Sequence, residues 1–310
     1  MLSQIHLNEI NYIKLIFGAM TTHIIILSVL INFYESYMPN SIKQTFRFGK
    51  VSFKGVRSQL ISMLEVPKSY FQHFYIYAAL LMLWMFGVSI AVYLFHVQVP
   101  RSFTDFLDKI GGINRIARVS TLHVLLAELL LTLQCVKRFY DSNFVSVFSK
   151  SKMNISHYAA GFIHYTGCAV AIILEAPEFA VNLSISRIHN LPGLGDLFAT
   201  VIFLLACYGQ LQVTIILANL RKNIKGKVIS EKHLLPQGGL FNYLSSPHMS
   251  CEILMYTCLT YILRGNSTWL FVYAWVFTNQ IEVIMLNHWW YQNTFPNFPK
   301  NRKALIPFVY

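Results

Sequence analysis

Charge is what this 310-residue sequence has least of. Only 12% of its residues are Asp, Glu, Lys or Arg, and the 13 acids are outnumbered by 25 bases. A soluble domain carries about 25% charged residues. With 55% hydrophobic residues and a mean hydropathy of +0.47, the chain has too little polar surface to cover itself in water. That excludes a disordered chain, a collagen-like repeat and an ordinary cytosolic enzyme, and it points to a membrane protein. Cysteine is sparse as well. Cys135, Cys168, Cys207, Cys251 and Cys258 lie in or beside apolar runs, with no C-x-x-C pair and no Cys/His metal spacing. Neither a disulfide framework nor a metal centre is expected. The sequence also lacks internal repeats, low-complexity tracts and long Gly/Ser linkers. A single integral membrane domain over residues 1–310 is the simplest organisation.

What is present is apolar and aromatic, in long runs. A bilayer core about 30 Å thick takes roughly 17–25 apolar helical residues. Seven runs are candidates: Tyr12–Phe33, Phe74–His96, Val119–Val136, His157–Leu174, Leu197–Leu220, Cys251–Leu263 and Trp269–Leu286. The expected fold class is therefore an all-α integral membrane protein with about seven transmembrane helices. The first run starts too far along for a secretory signal and lacks its basic start and small-residue cleavage site.

Basic residues alternate between loops. Loop 34–73 holds Lys43, Arg47, Lys50, Lys54, Arg57 and Lys68, and loop 137–156 holds Lys137, Arg138, Lys150 and Lys152. Loop 221–250 adds Arg221, Lys222, Lys225, Lys227 and Lys232, and the tail adds Lys300, Arg302 and Lys303. The intervening loops hold only Arg101, Lys109, Arg115, Arg118, Arg187 and Arg264. The positive-inside rule then puts the N-terminus in the lumen and the C-terminus in the cytosol. The same asymmetry explains the net charge by anionic lipid rather than nucleic acid. Three sequons occur at Asn154, Asn182 and Asn266, and by this topology the last two face the lumen.

In so uncharged a chain, ionisable groups near apolar runs become functional candidates. Glu128 lies mid-run in the third span, where a helix–helix pair, with Arg138 or a polar neighbour, is the simplest role. Glu252 opens the sixth span and Glu282 lies near the end of the seventh. Glu252 closes a dense polar block, Leu235–Glu252, reading LPQGGLFNYLSSPHMSCE. Gly238 and Gly239 permit a positive-φ turn and close approach of backbone to a ligand. The following helix N-terminus, beside a basic loop, suits a phosphate. A second block runs from Asn287-His288-Trp289-Trp290-Tyr291 to Phe298–Phe308. By composition alone that block reads as an aromatic belt with lipid-facing lysines.

These two blocks resemble the C-terminal signature of the steroid 5α-reductase family. The family's PQGGLF-Y-S-x-x-x-x-x-E stretch reads Pro236–Glu252 here, and its closing H-x-x-Y…P-K-x-R-K-A-L-I-P-F reads His288–Phe308. Ala218-Asn219-Leu220-Arg221-Lys222 resembles the L-R-K step that precedes them. In the amino half, Glu65-Val66-Pro67-Lys68-Ser69-Tyr70-Phe71-Gln72-His73-Phe74-Tyr75 resembles the signature of the family's polyprenol (type 3) branch, as does Asn143–Ser149.

The resemblance implies a seven-helix bundle in the endoplasmic reticulum membrane. It implies NADPH as hydride donor and reduction of the α-isoprene double bond of a long polyprenoid, feeding dolichol synthesis. Polyprenal is the preferred acceptor, because a conjugated carbonyl gives the incoming charge an oxygen to rest on. The implied partners are the polyprenoid and membrane lipids, with no obligate protein partner. Carried over residue by residue, Glu65 matches the family's acid at the substrate carbonyl, and Tyr70 and His73 follow it as relay candidates. Gln210, Arg221, Lys222, Tyr243, His248, Glu252, His288, Tyr291 and Arg302 match the cofactor region, at about residues 200–310. Three departures stand out. His248 replaces the usual Asn, Thr214 replaces Asp or His, and the third-span tyrosine of steroid-reducing members has no counterpart, Cys135 lying near its place. Competing readings are a steroid 5α-reductase proper, an enoyl-thioester reductase and a non-enzymatic lipid-binding protein.

Overall fold

Helices form where apolar runs are free of interior proline. In the computed structural model, which describes residues 7–47, 49–180, 182–183, 191–223 and 225–306, every proline lies outside a helix or at its first residue. The helices are α1 (Tyr12–Phe33), α2 (Asn40–Phe46), α3 (Gln59–Met63), α4 (Phe71–Leu94), α5 (Arg101–Gly111), α6 (Thr121–Tyr140), α7 (Ile155–Leu174), α8 (Leu194–Asn219), α9 (Pro247–Ile262) and α10 (Ser267–Thr294). The structure is mostly helical, as expected. It also has four short strands that the all-α expectation did not include: β1 (Glu65–Pro67), β2 (Ile116–Ala117), β3 (Lys152–Asn154) and β4 (Asn182–Leu183). Strand β1 pairs antiparallel with β3, and β2 pairs parallel with β4.

Among the described residues, five helices, α1, α4, α7, α8 and α10, are long and apolar enough to cross a membrane. The third and sixth expected spans fall on α6 and α9, and neither reaches that standard. Helix α6 carries Glu128, Lys137 and Arg138 within its 20 residues. Helix α9 has 16 residues, about 24 Å at 1.5 Å per residue, short of a bilayer core of about 30 Å. At the other extreme, α10 runs for 28 residues and absorbs Asn287–Tyr291, which the sequence reading placed after the span. Helix α5 lies in a stretch read as loop. It turns Phe103, Leu107 and Ile110 towards the core.

Helix α4 packs on α6 and α7, α8 on α9, and α10 against α1, α7 and α9. The core runs through Phe17, Met82, Leu131, Cys168, Phe203, Tyr256 and Trp269, all fully buried. Phe17 presses onto Gly167, where a Cβ would come within 2.1 Å of its ring, so only glycine allows α1 this close to α7. Glu128 is fully buried and faces Ser89 of α4, ten residues (about three helical turns) from Arg138, so the two do not pair.

Helices α1 and α10 run parallel and are joined by polar contacts. Asn11 donates to Thr268 (2.9 Å), Lys14 to Ser267 (2.7 Å) and Asn32 to Glu282 (3.2 Å). The N-terminus of α10 is capped twice. Asn266 accepts from the Trp269 amide (2.8 Å), and the Glu175 carboxylate accepts from the Ser267 and Thr268 amides (2.9 and 2.8 Å). A carboxylate there satisfies free N–H groups and complements the helix dipole.

This corrects the reading of Asn266 as a lumenal glycosylation site. The residue is 1% exposed and its amide donates to the Ala171 carbonyl (2.8 Å), leaving no room for a glycan. Ser184 of the Asn182 sequon, Arg187, Pro307 and Phe308 lie outside the described residues. Asn266→Ala should leave glycosidase-sensitive mobility unchanged on a gel. It should also lower the thermal unfolding midpoint, because losing an N-cap costs about 0.5–2 kcal/mol.

Candidate active site

The first turns of α4, α7 and α9 and the last turns of α6, α8 and α10 meet at one end of the bundle. Between them lies a cavity of about 560 Å³, within the range that accommodates a drug-sized ligand. Ile24 of α1 and Phe46, Phe71, Leu217, Trp275, Val276 and Val283 give it apolar walls.

Its floor is polar and buried. The Arg138 guanidinium lies 4.5 Å from the centroid of the Tyr75 ring and donates to the Tyr75 hydroxyl, with Glu252 and Tyr165 completing its surroundings. Beside it runs an amide–carboxylate chain. Lys137 donates to Gln210 (2.5 Å), and Gln210 donates to Glu252 (2.5 Å) and to the His248 carbonyl (3.0 Å). Gln134 donates to both Gln210 and Glu252 (2.9 and 3.3 Å). Asp141, fully buried in a single π-helical turn, stands 2.9 Å from Lys137 and 3.6 Å from Arg138.

The mouth is cationic. Segment 146–149 forms its rim and is held by the end of α8. Arg221 donates to the Val147 carbonyl, and Lys222 to the Val145 carbonyl (3.1 Å). Lys68 faces Arg221, with no carboxylate paired to it among the described residues. Behind Tyr291, the Arg302 side chain is 97% buried, and its Nε and Nη1 have no hydrogen-bond partner. Burial pushes both arginines down from the ordinary guanidinium value. Buried cations with open donors attract anions, and a guanidinium matches phosphate geometry.

The two C-terminal sequence blocks build this mouth together. Ser245 donates its amide to the Lys303 carbonyl (2.9 Å), and Lys303 returns one to Tyr243 (2.8 Å). The Ser245 hydroxyl lies 2.7 Å from His288 Nδ1. Gly238 and Gly239 adopt φ of 86° and 52°, the left-handed turn that admits glycine most easily.

Of the residues expected at the site, Gln210, Arg221, His248, Glu252 and Tyr291 line the cavity. Lys222, Tyr243, His288 and Arg302 stand behind its wall. Thr214 lines it too, but its hydroxyl donates to the Gln210 carbonyl (2.9 Å). The expected catalytic group is not brought there. Glu65 sits in β1, its carboxylate accepting from Arg57 (2.5 Å) and Gln44 (2.8 Å), and Lys68 takes no part in that pair. Tyr70 is 38% exposed and stacks near His73 and Tyr158, with ring centroids 4.6 and 5.9 Å away. The physical reason is helical phase. Tyr75 follows His73 by two residues, about 200° around the helix, so when one faces out the other faces the cavity.

Sequence reasoning missed Tyr75, Lys137, Arg138, His164 and Tyr165. Tyr75 stood inside the recognised amino-half motif. Lys137 and Arg138 were counted as loop charges. Nothing in the spacing marked His164 or Tyr165.

This arrangement coincides with a known family. Residues 153–310 match the family described as 3-oxo-5-alpha-steroid 4-dehydrogenase. The chain is 40% identical to a Drosophila melanogaster protein named polyprenal reductase, over 97% of this chain and 94% of that one. It is 31% identical to the Caenorhabditis elegans polyprenal reductase, over 84% of this chain and 85% of that one. The human polyprenal reductase shows 29% identity, over 79% and 78% respectively. The chain belongs to the steroid 5α-reductase family.

Lys222 separates rim architecture from ligand binding, since it holds the Val145 carbonyl and does not line the cavity. Lys222→Ala should destabilise the fold by about 0.5–1.5 kcal/mol while leaving the cofactor KM unchanged. A thiol-reactive dye would follow unfolding, the cysteines being buried or half-buried.

Proposed function

We propose that this protein is an NADPH-dependent reductase of the α-isoprene double bond of long polyprenals, yielding dolichals for dolichol synthesis in the endoplasmic reticulum membrane. One observation carries the reading. A single cavity joins unpaired cations at its mouth to a hydroxyl–guanidinium pair at its floor, with an apolar wall between them. The 40% identity with a protein named polyprenal reductase supports the same substrate class.

The residues present fit NADPH. Lys68 and Arg221, which line the mouth, would hold its phosphates, and Arg302, behind Tyr291 with two open nitrogens, adds to the same positive field. Gln210, Glu252 and the His248 carbonyl would hold the carboxamide end. When bound, the reduced nicotinamide supplies a hydride. Tyr75, its hydroxyl fixed by Arg138, donates a hydrogen bond to the polyprenal carbonyl oxygen, where negative charge develops as the double bond is reduced. Arg138 lowers the cost of that charge, and the closed aromatic floor keeps water from it.

In this reading residues 1–310 form one domain of seven spans, with α6 and α9 as the third and sixth. The N-terminus is lumenal and the cavity mouth opens to cytosolic NADPH. A reporter at Lys225 should map to the cytosol; a lumenal position would remove the cofactor side from its supply.

Purified protein in liposomes should reduce polyprenal with NADPH and leave a 3-oxo-Δ4 steroid unchanged; no turnover of polyprenal overturns the proposal. Arg221→Ala should raise the KM for NADPH roughly tenfold to 150-fold, as a lost charged hydrogen bond costs about 1.5–3 kcal/mol. Tyr75→Phe should lower kcat about 10²- to 10³-fold, the usual effect of deleting one oxyanion donor. Glu65→Gln should retain turnover, since its carboxylate serves Arg57 and Gln44 outside the cavity.

A further inference from the structure

One hydroxyl at the cavity floor is left over. Tyr165 of α7 is 6% exposed and lines the cavity. Its ring is fixed among aromatic neighbours, 6.1 Å from Tyr75, 6.3 Å from Phe74 and 4.8 Å from His164, centroid to centroid. The neighbouring phenols are engaged, Tyr75 by Arg138 and Tyr256 by His164 at 2.8 Å. No hydrogen bond engages the Tyr165 hydroxyl among the described residues. The hydroxyl opens on the cavity, where a bound ligand would complete its hydrogen bonding. Arg138 packs on Tyr75, whose ring centroid is 6.1 Å from that of Tyr165.

The position also answers a gap in the sequence. The third span offers Cys135 where steroid-reducing relatives place a tyrosine, and Cys135 is fully buried and does not line the cavity. Helices α6 and α7, which carry Cys135 and Tyr165, pack against each other. The phenol missing from α6 is thus supplied by a neighbouring helix.

Resting on the proposed polyprenal reduction, we infer that Tyr165 is the catalytic proton donor, delivering its phenolic proton to C2 of the substrate. Once hydride has been added at C3, the electron pair of the C2=C3 bond forms the C1=C2 bond of an enolate whose oxygen Tyr75 holds. The enolate then collapses: C1=O re-forms, the C1=C2 pair takes the proton of Tyr165, and the Tyr165 O–H bond breaks. The phenolate left on Tyr165 regains a proton from water when product leaves. Atoms and charge balance as one hydride plus one proton added across C2=C3.

The test is turnover in D2O with NADPH and polyprenal, reading where deuterium lands at C2 of the product. The wild-type protein should place it on one of the two diastereotopic positions; random placement in the wild type overturns the inference without any variant. Tyr165→Phe should lower kcat about 10²- to 10⁴-fold, the range for general acid catalysis, and randomise the C2 label. Its NADPH binding, followed by nicotinamide fluorescence, should stay at the wild-type level and report a folded site. Wild-type kcat or single-face labelling in Tyr165→Phe overturns the inference while leaving the proposed function standing. A wild-type protein inert towards polyprenal overturns both.

Discussion

Asp141 has no contact with solvent, and burying a lone carboxylate is costly unless cations stand beside it. Lys137 and Arg138, one turn earlier, supply them at 2.9 and 3.6 Å. Removing one partner of such a buried cluster typically costs about 3–5 kcal/mol, because the remaining charge is stranded. Most of the candidate site hangs on this turn. Lys137 reaches from it to Gln210, and through Gln210 to Glu252, tying α6 to α8 and α9. Arg138 reaches to Tyr75, tying α6 to α4. Spacings of four and three residues bring the carboxylate onto both cations, and the π-helical turn over Asp141–Val145 follows at once, a feature that often marks functional sites.

From the same turn the chain leads into the cavity rim. The Val145 and Val147 carbonyls are taken by Lys222 and Arg221 at the end of α8, so the floor and the mouth share one support. Further out, β1 pairs with β3 and sets Lys68 opposite Arg221. Two like charges facing each other are unfavourable until an anion sits between them. In the proposed function the mouth would take phosphate to relieve that repulsion, and the floor would meet a carbonyl with donors that are already oriented.

The opposite end of the bundle serves stability. Glu175, Asn266, Ser267 and Thr268 fasten α7 to α10, and Arg115 spans Asp108 and the carbonyls of Leu174 and Phe179. Asp196 joins His123 and Arg264 there, and that pairing raises the Arg264 guanidinium above its ordinary value. These contacts are mutually satisfied and far from the cationic mouth. They explain why a sequon asparagine can be buried: Asn266 is a helix cap first.

Composition and run length were enough to read a helical membrane protein, and two local motifs were enough to mark residues that line the cavity. Both signals are local, since apolar content decides what the bilayer tolerates and a turn such as Gly238-Gly239 requires its own residues. Gln210, Arg221, His248, Glu252 and Tyr291 were legible because they fall on or beside continuous motifs that form the cavity wall. The groups proposed to react were not. Whether Tyr70, His73 or Tyr75 faces inward depends on the phase at which α4 begins, and that is set by the β1–β3 pairing of segments almost ninety residues apart. Glu65 looked catalytic by position and became the partner of Arg57 through the same pairing. Tyr165 and Cys135 are thirty residues apart on different helices, and only the packing of α7 against α6 relates the phenol to the thiol. Sequence alone determined where the long apolar helices form and where the Gly238-Gly239 turn lies; tertiary structure decided the short strands and which side chains meet, because that depends on helix rotation and contact between segments distant in the chain.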